Sequence, residues 1–137
     1  MNNYEALEIL EIIKKQFSIK KDNIDELRRD FERFYLKFSS DQVLELENYC
    51  IKHIQFYKIT ANNTNPDCAV LFFHGGGFNM GSTRSHLDLC GKLSKASNLS
   101  VYSPDYRLAP ENPFPAPLHD CLDSYLWLVK QGMEPSN

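Results

Sequence analysis

A histidine and three consecutive glycines, His74–Gly77, directly follow a run of large apolar residues in the segment CAVLFFHGGGFNMG. Glycine has no Cβ, so the backbone N–H groups of such a loop can turn outward and be approached closely by a ligand. Two chemistries use a loop of this kind: binding of a phosphate, and stabilisation of the negative charge that develops on a carbonyl oxygen during acyl transfer.

The spacing of the glycines disfavours the phosphate. A Walker loop requires Gly-Lys-Ser/Thr after four spacer residues, and this sequence does not have it. Gly81 falls one position late for the GxGxxG dinucleotide fingerprint. An oxyanion hole needs only two backbone donors aimed at the developing charge. The residues alone therefore favour an oxyanion loop.

Alternating strands and helices would position this loop. The apolar run 69–73 is typical of a strand that is buried on both faces, and LSVYSPDY (99–106) predicts another strand. The helix between them would be capped by Ser82 or Thr83, contain Leu87, Cys90 and Leu93, and end at Asn98. This alternation predicts an α/β fold with a mostly parallel sheet.

A last helix would have Pro117 in its first turn and end at Gly132. We expect its buried face to consist of four residues at helical spacing: Leu118, Leu122, Tyr125 and Leu126.

The first third of the chain predicts two helices. Their apolar residues recur at helical spacing: Leu7, Leu10, Ile13 and Phe17 in the first, and Ile24, Leu27, Phe31, Phe34, Tyr35 and Phe38 in the second. The second helix would start near Asn23, with Glu26 completing a capping box. Its apolar stripe fits packing, and a lid over a substrate pocket requires the same pattern. After it, residues 49–60 read as a strand or bent strand pair, and ANNTNPD (61–67) as a turn.

The composition narrows the classes of partner and the cellular location that we expect for this chain. The 137 residues carry a net charge of −3 without a basic patch, which argues against nucleic acid. No apolar run approaches the roughly 20 residues that span a bilayer, and acids among the first apolar residues argue against a signal peptide. The cysteines form no CxxC pair, so we expect four buried free thiols, a reducing compartment and a cytoplasmic location: Cys50, Cys68, Cys90 and Cys121.

Two motifs together carry a family resemblance over about residues 50–135. HGGGF after a strand resembles the oxyanion loop of lipases and esterases with the α/β-hydrolase fold. DYRLAPENPFPAPLHD (105–120) is similar to a second signature, DYRLAPEHPFPAALDD, of the hormone-sensitive-lipase-like esterases. The resemblance implies hydrolysis of small-molecule carboxylic esters with short or medium acyl chains, without a metal or cofactor. It also implies two segments: residues 1–47 as a helical, cap-like part and 48–137 as the N-terminal half of the hydrolase domain.

The resemblance also implies residue roles. Gly76 and Gly77 would donate the oxyanion N–H groups, Gly75 would permit the turn, His74 would brace the loop through its side chain, and Phe78 would line the substrate pocket or simply pack. The second motif would supply a structural cluster that fixes the next loop: Asp105, Tyr106, Arg107 and Glu111. His53, His86 and His119 have no partner at metal-ligand spacing, and His119-Asp120 would form a pair at a helix N-terminus.

The family's reaction also needs a serine in GxSxG, then an acid and a histidine, and no GxSxG occurs in the 137 residues. We therefore expect the chain to be inactive by itself. Three interpretations stay open: a reading frame that lost its catalytic half, one half of a split esterase completed by a second chain, and a non-catalytic binding module. In the family's strand order, residues 70–73 would neighbour the nucleophile strand, so an open sheet edge would favour self-association.

Overall fold

The computed structural model describes Glu11 and residues 23–37, 39–40, 44–61 and 64–133. Helix α1 is Ile24–Leu36, strand β1 Glu45–Ile51, β2 Ile54–Thr60, β3 Asn65–Leu71, helix α2 Leu87–Ser97, β4 Leu99–Asp105 and α3 Ala116–Lys130. The helix predicted around Leu7 to Phe17, and Phe38 of the second predicted helix, lie outside the described residues.

The four strands form one sheet in the order β1-β2-β4-β3. β1 and β2 form the hairpin expected from the bent strand pair, with Ile51 opposite Ile54. β2 pairs with β4 antiparallel, whereas β3 and β4 are parallel. This parallel pair, joined through α2, follows the predicted strand–helix–strand alternation and brings the ends of β3 and β4 to the same edge of the sheet.

Apolar residues cover both faces of the sheet. On one face, Ile59 and Val101 pack with Cys90 of α2. On the other, Phe56 and Tyr102 pack with Leu128 of α3. Neighbouring positions of β2 and β4 thus serve opposite faces, as the two-residue period of a strand requires.

The helix boundaries agree with most of the predicted signals. Asn23 caps α1, because its side-chain oxygen accepts hydrogen bonds from the N–H groups of Asp25 and Glu26. Asn98 ends α2 in the left-handed conformation, with φ 57°. The predicted start of α2 was wrong: the cap position is His86, and the side chains of Ser82 and Ser85 instead bond each other's backbone N–H groups in the preceding turn.

Strand β3 and the thiols also differ from the prediction. β3 begins at Asn65, inside the predicted turn, and its residues are exposed or half-buried because it has only β4 as a neighbour in the described sheet. Of the four thiols only that of Cys90 is buried; Cys50 and Cys68 are exposed and Cys121 is half-buried.

The largest difference is the orientation of α3. The face expected to be buried is exposed: Leu118 at 55%, Leu122 at 52%, Tyr125 at 41% and Leu126 at 44%. The inward face carries Pro117, Asp120, Ser124 and Leu128. Asp120 turns inward because Arg107 and His53 bind its carboxylate there, and the apolar stripe consequently faces outward.

The orientation of α3 predicts unequal effects of two substitutions. Leu122→Gln should change the free energy of unfolding by less than about 0.5 kcal/mol and reduce self-association, because the side chain is already exposed. Leu128→Ala should cost about 2–5 kcal/mol, because it leaves a cavity under the sheet. Urea unfolding and sedimentation velocity measure the two effects; comparable destabilisation by both variants would contradict this orientation.

Candidate active site

The glycine loop begins where β3 leaves the sheet. The N–H of Phe72 still donates to the carbonyl of Tyr102, at 2.8 Å. Beyond it the chain turns back, and the carbonyl of Gly76 accepts hydrogen bonds from the N–H groups of Asn79 and Met80, at 3.3 and 3.1 Å. The loop therefore lies at the carboxyl end of a strand with a parallel neighbour, where α/β sheets place their ligands.

Two glycines allow this backbone to approach itself closely. A Cβ on Gly76, which has φ +131°, would lie 2.0 Å from the carbonyl oxygen of Met80. A Cβ on Gly81, with φ +89°, would lie 2.1 Å from the carbonyl oxygen of Gly75. Gly75 is different, since its φ is not positive and the nearest atom to a Cβ added there would be His86 Nε2, at 3.6 Å.

The amides of the glycine loop have spare donor capacity. Within the described part of the chain, no hydrogen bond is donated by the N–H of Gly76 or Gly77. Neither residue pairs with a strand. Beside Gly77, the buried side-chain oxygen of Asn79 also lacks a hydrogen-bond partner among these residues. Two adjacent backbone donors of the loop are therefore without a protein acceptor among the described residues.

His74 supports the loop from beneath. It is buried, and its Nδ1 donates to the carbonyl of Gly75 at 3.0 Å in the tautomer that this contact requires. Its ring stacks on Tyr106, with ring centroids 4.2 Å apart and planes 7° apart, and the Tyr106 hydroxyl donates to the carbonyl of His74. Burial lowers the pKa of His74 and raises that of Tyr106 to about 12, so both rings are neutral at neutral pH.

A second buried histidine, His86, was not assigned a role by the sequence. Its ring lies among aromatic rings, 5.0 Å from Tyr35, 5.8 Å from Phe72 and 5.9 Å from His74. Its Nδ1 is 2.9 Å from the hydroxyl of Ser85. Burial lowers the pKa of His86, so its ring is also neutral at neutral pH in the folded chain.

The residues of the second motif do not form a single charge cluster. Asp105 accepts a hydrogen bond from the N–H of Thr83, at 2.6 Å, and so fixes the chain that follows the glycine loop. Arg107 pairs with Asp120, and Glu111 pairs with Arg28 of α1. The resemblance implied one structural cluster, whereas the fold gives each of these side chains a partner from a different part of the chain.

Asp120, which we expected together with His119 at a helix N-terminus, lies near the start of α3 and is a buried anion. It accepts a bidentate pair of hydrogen bonds from Arg107 and a further contact from His53 Nε2, at 2.9 Å. Burial by itself would raise the pKa of Asp120, but the bonds from Arg107 and His53 outweigh it and hold the pKa below the ordinary value. The sequence offered no signal for this pair, because His53 lies 67 positions before Asp120.

Phe78 is 58% exposed, and its ring centroid lies 6.3 Å from that of Tyr106. A cavity of about 380 Å³ lies at the opposite end of β3 and β4. None of the glycine-loop residues lines it, and its walls include Glu45, Lys58, Thr60 and Ser100.

Among the described residues, no group of three or more His, Cys, Asp or Glu side chains could hold a metal ion. No helix in that part is long and apolar enough to cross a membrane.

Comparison with known proteins gives one consistent result. Residues 70–137 match the alpha/beta hydrolase fold family. Lipase 2 of Moraxella sp. (strain TA144) is 40% identical over 88 residues, which are 59% of this chain and 20% of that protein. The arylesterase of Saccharolobus solfataricus is 30% identical over 125 residues, which are 90% of this chain and 40% of that protein.

A solved structure agrees. A crystal structure of an esterase from the bacterial hormone-sensitive lipase family superposes with a TM-score of 0.89 at 30% identity, covering 99% of this chain and 46% of that one. The arrangement of strands, helices and glycine loop is therefore that of an α/β-hydrolase. The chain belongs to the hormone-sensitive-lipase-like esterases and lipases of this fold, and it spans less than half the length of each of these three relatives.

The close approach at Gly76 predicts a strong difference between neighbouring glycines. Gly76→Ala should destabilise the loop by about 1–3 kcal/mol, because φ is positive and a Cβ meets Met80. Gly75→Ala should cost less than about 1 kcal/mol, since its Cβ has room. Chemical denaturation of the two variants provides the measurement, and equal costs would argue against this loop conformation.

The two buried histidines predict a loss of stability in mild acid. Their pKa values are lowered in the folded chain, so the unfolded chain binds more protons once the pH falls to about 6.5 and below. The free energy of unfolding should therefore decrease from pH 7 to pH 5. His86→Gln should reduce this slope, while His119→Gln, at an exposed position, should leave it unchanged; a slope equally steep in all three proteins would refute the explanation.

Proposed function

We propose that this chain carries the oxyanion-binding half of a serine-dependent carboxylic ester hydrolase acting on esters of short or medium acyl chains. The observation that carries the proposal is the pair of N–H groups on Gly76 and Gly77, which have no protein acceptor among the described residues. They lie on a loop whose shape is fixed by backbone contact and by the His74–Tyr106 stack.

The contribution of the loop to the reaction follows from its charge preference. As a nucleophile adds to the ester carbonyl, negative charge develops on the carbonyl oxygen, and the two N–H groups would donate hydrogen bonds to it. Because the two donors have no protein acceptor among the described residues, no protein hydrogen bond has to break when the charge appears, and each such donor contributes about 10²–10³ in rate. His74 is not the base in this scheme, since its Nδ1 is engaged with Gly75 and it lies beneath the loop.

The nucleophile would come from residues beyond those given, because the sequence contains no GxSxG. The isolated chain should therefore hydrolyse p-nitrophenyl acetate no faster than a heat-denatured sample. A rapid burst of nitrophenol that a fluorophosphonate abolishes would overturn the proposal, since only an activated serine gives both results.

A second polypeptide that supplies the nucleophile is a candidate partner, and the outward apolar stripe of α3 favours it. Leu118, Leu122 and Leu126 lie on one helix face with about half of each side chain exposed, and β3 has a free edge in the described sheet. Exposed apolar area of this kind is typical of an interaction surface. The partner we propose is a chain with the C-terminal half of the α/β-hydrolase fold, whose strand would pair with β3.

Mixing tests this partner directly. The probe is the part of the bacterial hormone-sensitive-lipase-family esterase that lies outside the match, 54% of its length by difference from the 46% covered. We expect the mixture to hydrolyse p-nitrophenyl butyrate, and Gly76→Ala in this chain to lower the rate by about 100-fold.

Two leucine substitutions separate docking from nonspecific effects. Leu122→Lys should prevent reconstitution, because it places a charge in the proposed interface. Leu46→Lys, on β1 at the other edge of the sheet and 45% exposed, is the matched control and should leave it intact. Reconstitution that survives Leu122→Lys would exclude the α3 stripe as the contact surface.

A further inference from the structure

Arg28 of helix α1 contacts the turn that follows the glycines. Arg28 Nε donates a hydrogen bond to the carbonyl oxygen of Asn79, at 2.8 Å. Asn79 belongs to the turn that closes on the carbonyl of Gly76. A residue 51 positions earlier in the chain therefore holds the backbone of the oxyanion loop directly.

The same guanidinium also binds the loop of the second motif. Arg28 Nη2 donates to the carbonyl of Ala109 at 2.8 Å, and its two terminal nitrogens bind the two carboxylate oxygens of Glu111 at 2.8 and 2.7 Å. The hydrogen bond that Arg28 donates to Glu111 raises the pKa of Arg28 and lowers that of Glu111 to about 2. Both groups are thus charged at neutral pH.

The two loops that Arg28 joins are themselves connected. The N–H of Ala109 donates to the carbonyl of Phe78, at 2.8 Å. Arg28 therefore closes a ring of contacts that runs from α1 to Asn79, back along the turn to Phe78, across to Ala109 and again to Arg28. Distortion at any member of this ring would move the neighbouring glycine amides.

A second contact from α1 reaches the far end of the loop. The hydroxyl of Ser82 donates to the carboxylate of Glu32, at 2.8 Å, one turn along α1 from Arg28. Beyond it, the ring of Tyr35 stacks on His86, with centroids 5.0 Å apart. Helix α1 thus makes three contacts with this region, at Asn79, at Ser82 and at His86.

The pair of Arg28 and Glu111 differs from an ordinary surface ion pair. A solvent-exposed pair of this kind contributes about 0–1 kcal/mol and needs no particular backbone partner. Arg28 instead donates hydrogen bonds to two backbone carbonyls as well as to a carboxylate. The planar guanidinium group can make these bonds together, whereas a lysine ammonium cannot.

We propose that Arg28 is a positioning residue for the oxyanion loop, acting through the carbonyls of Asn79 and Ala109. Helix α1 is on this account a clamp that sets the direction of the Gly76 and Gly77 amides. The role in catalysis rests on the proposed function above, whereas the mechanical clamp stands on the contacts alone.

Amide hydrogen exchange in the full 137-residue chain tests the clamp. The reporters are two N–H groups: that of Met80, which closes the turn on the carbonyl of Gly76, and that of Ala109, which bonds Phe78 within the ring of contacts. Arg28→Gln should speed their exchange roughly tenfold, since local opening then no longer breaks the charge-assisted bonds. Arg33→Gln, on the same helix at an arginine whose side chain is 72% exposed, is the matched control and should change neither amide.

A charge exchange separates positioning from simple pairing. Arg28→Glu combined with Glu111→Arg restores an ion pair but supplies no donor from α1 to the carbonyl of Asn79. We expect the double variant to keep the fast exchange of Met80 even where the free energy of unfolding recovers. Full restoration of slow exchange would overturn the proposal, because the pair alone would then suffice.

Two further outcomes are decisive. If Arg28→Gln does not fold, Arg28→Lys replaces it; this variant keeps the charge and should still speed exchange at Met80, and an unchanged rate would refute the clamp. In the reconstituted enzyme, Arg28→Lys should lower kcat with little change in KM. Faster exchange without any loss of kcat would leave the clamp correct and count against the loop as an oxyanion hole, so the two proposals fail separately.

Discussion

At His74–Gly81 two stretches of backbone lie so close together that no side chain fits between them. The carbonyl of Met80 occupies the place of a Cβ on Gly76, and the carbonyl of Gly75 occupies that of a Cβ on Gly81. The backbone there has positive φ at Gly76, Gly77 and Gly81. The donors of Gly76 and Gly77 are available because the turn consumes carbonyls and leaves these N–H groups without partners among the described residues.

A turn of this kind is held by its surroundings, and the neutral and charged supports lie in different places. Beneath it, the stacked rings of His74 and Tyr106 are buried and uncharged, which avoids the cost of an unpaired buried ion. The charged contacts lie at the rim, where Arg28 and Glu111 keep partial access to water. Asp120 is the exception, a fully buried carboxylate that Arg107 and His53 compensate.

Sequence reasoning predicted the position of the glycine loop and a contact from the His74 side chain, but few of the other contacts that hold the loop. The glycine run after an apolar strand, the alternation of strands and helices, and Asn98 at a helix end all depend on local backbone preferences that a single stretch of residues reveals. The outward face of α3 could not be predicted this way. Its leucines have the spacing of a buried stripe, but the direction is set by the long-range contacts of Asp120 with His53 and Arg107.

The partner of Glu111 illustrates the same limit. The family resemblance grouped the charged residues of the second motif into one structural cluster. In the fold, Glu111 binds an arginine 83 positions earlier, and Asp105 binds a backbone N–H 22 positions earlier. Such pairings depend on tertiary position alone, and periodicity carries no information about them. The free edge of β3 was expected from the resemblance, whereas its exposure along most of its length became visible only in the structure.

The central claim is that the amides of Gly76 and Gly77 receive the oxygen on which negative charge develops. A structure of this chain completed by the C-terminal half of a related esterase, after reaction with a p-nitrophenyl phosphonate, tests it most directly. The account predicts the phosphonyl oxygen within about 3.1 Å of both amide nitrogens. A phosphonyl oxygen bound by other donors, with these two amides facing solvent, would contradict it.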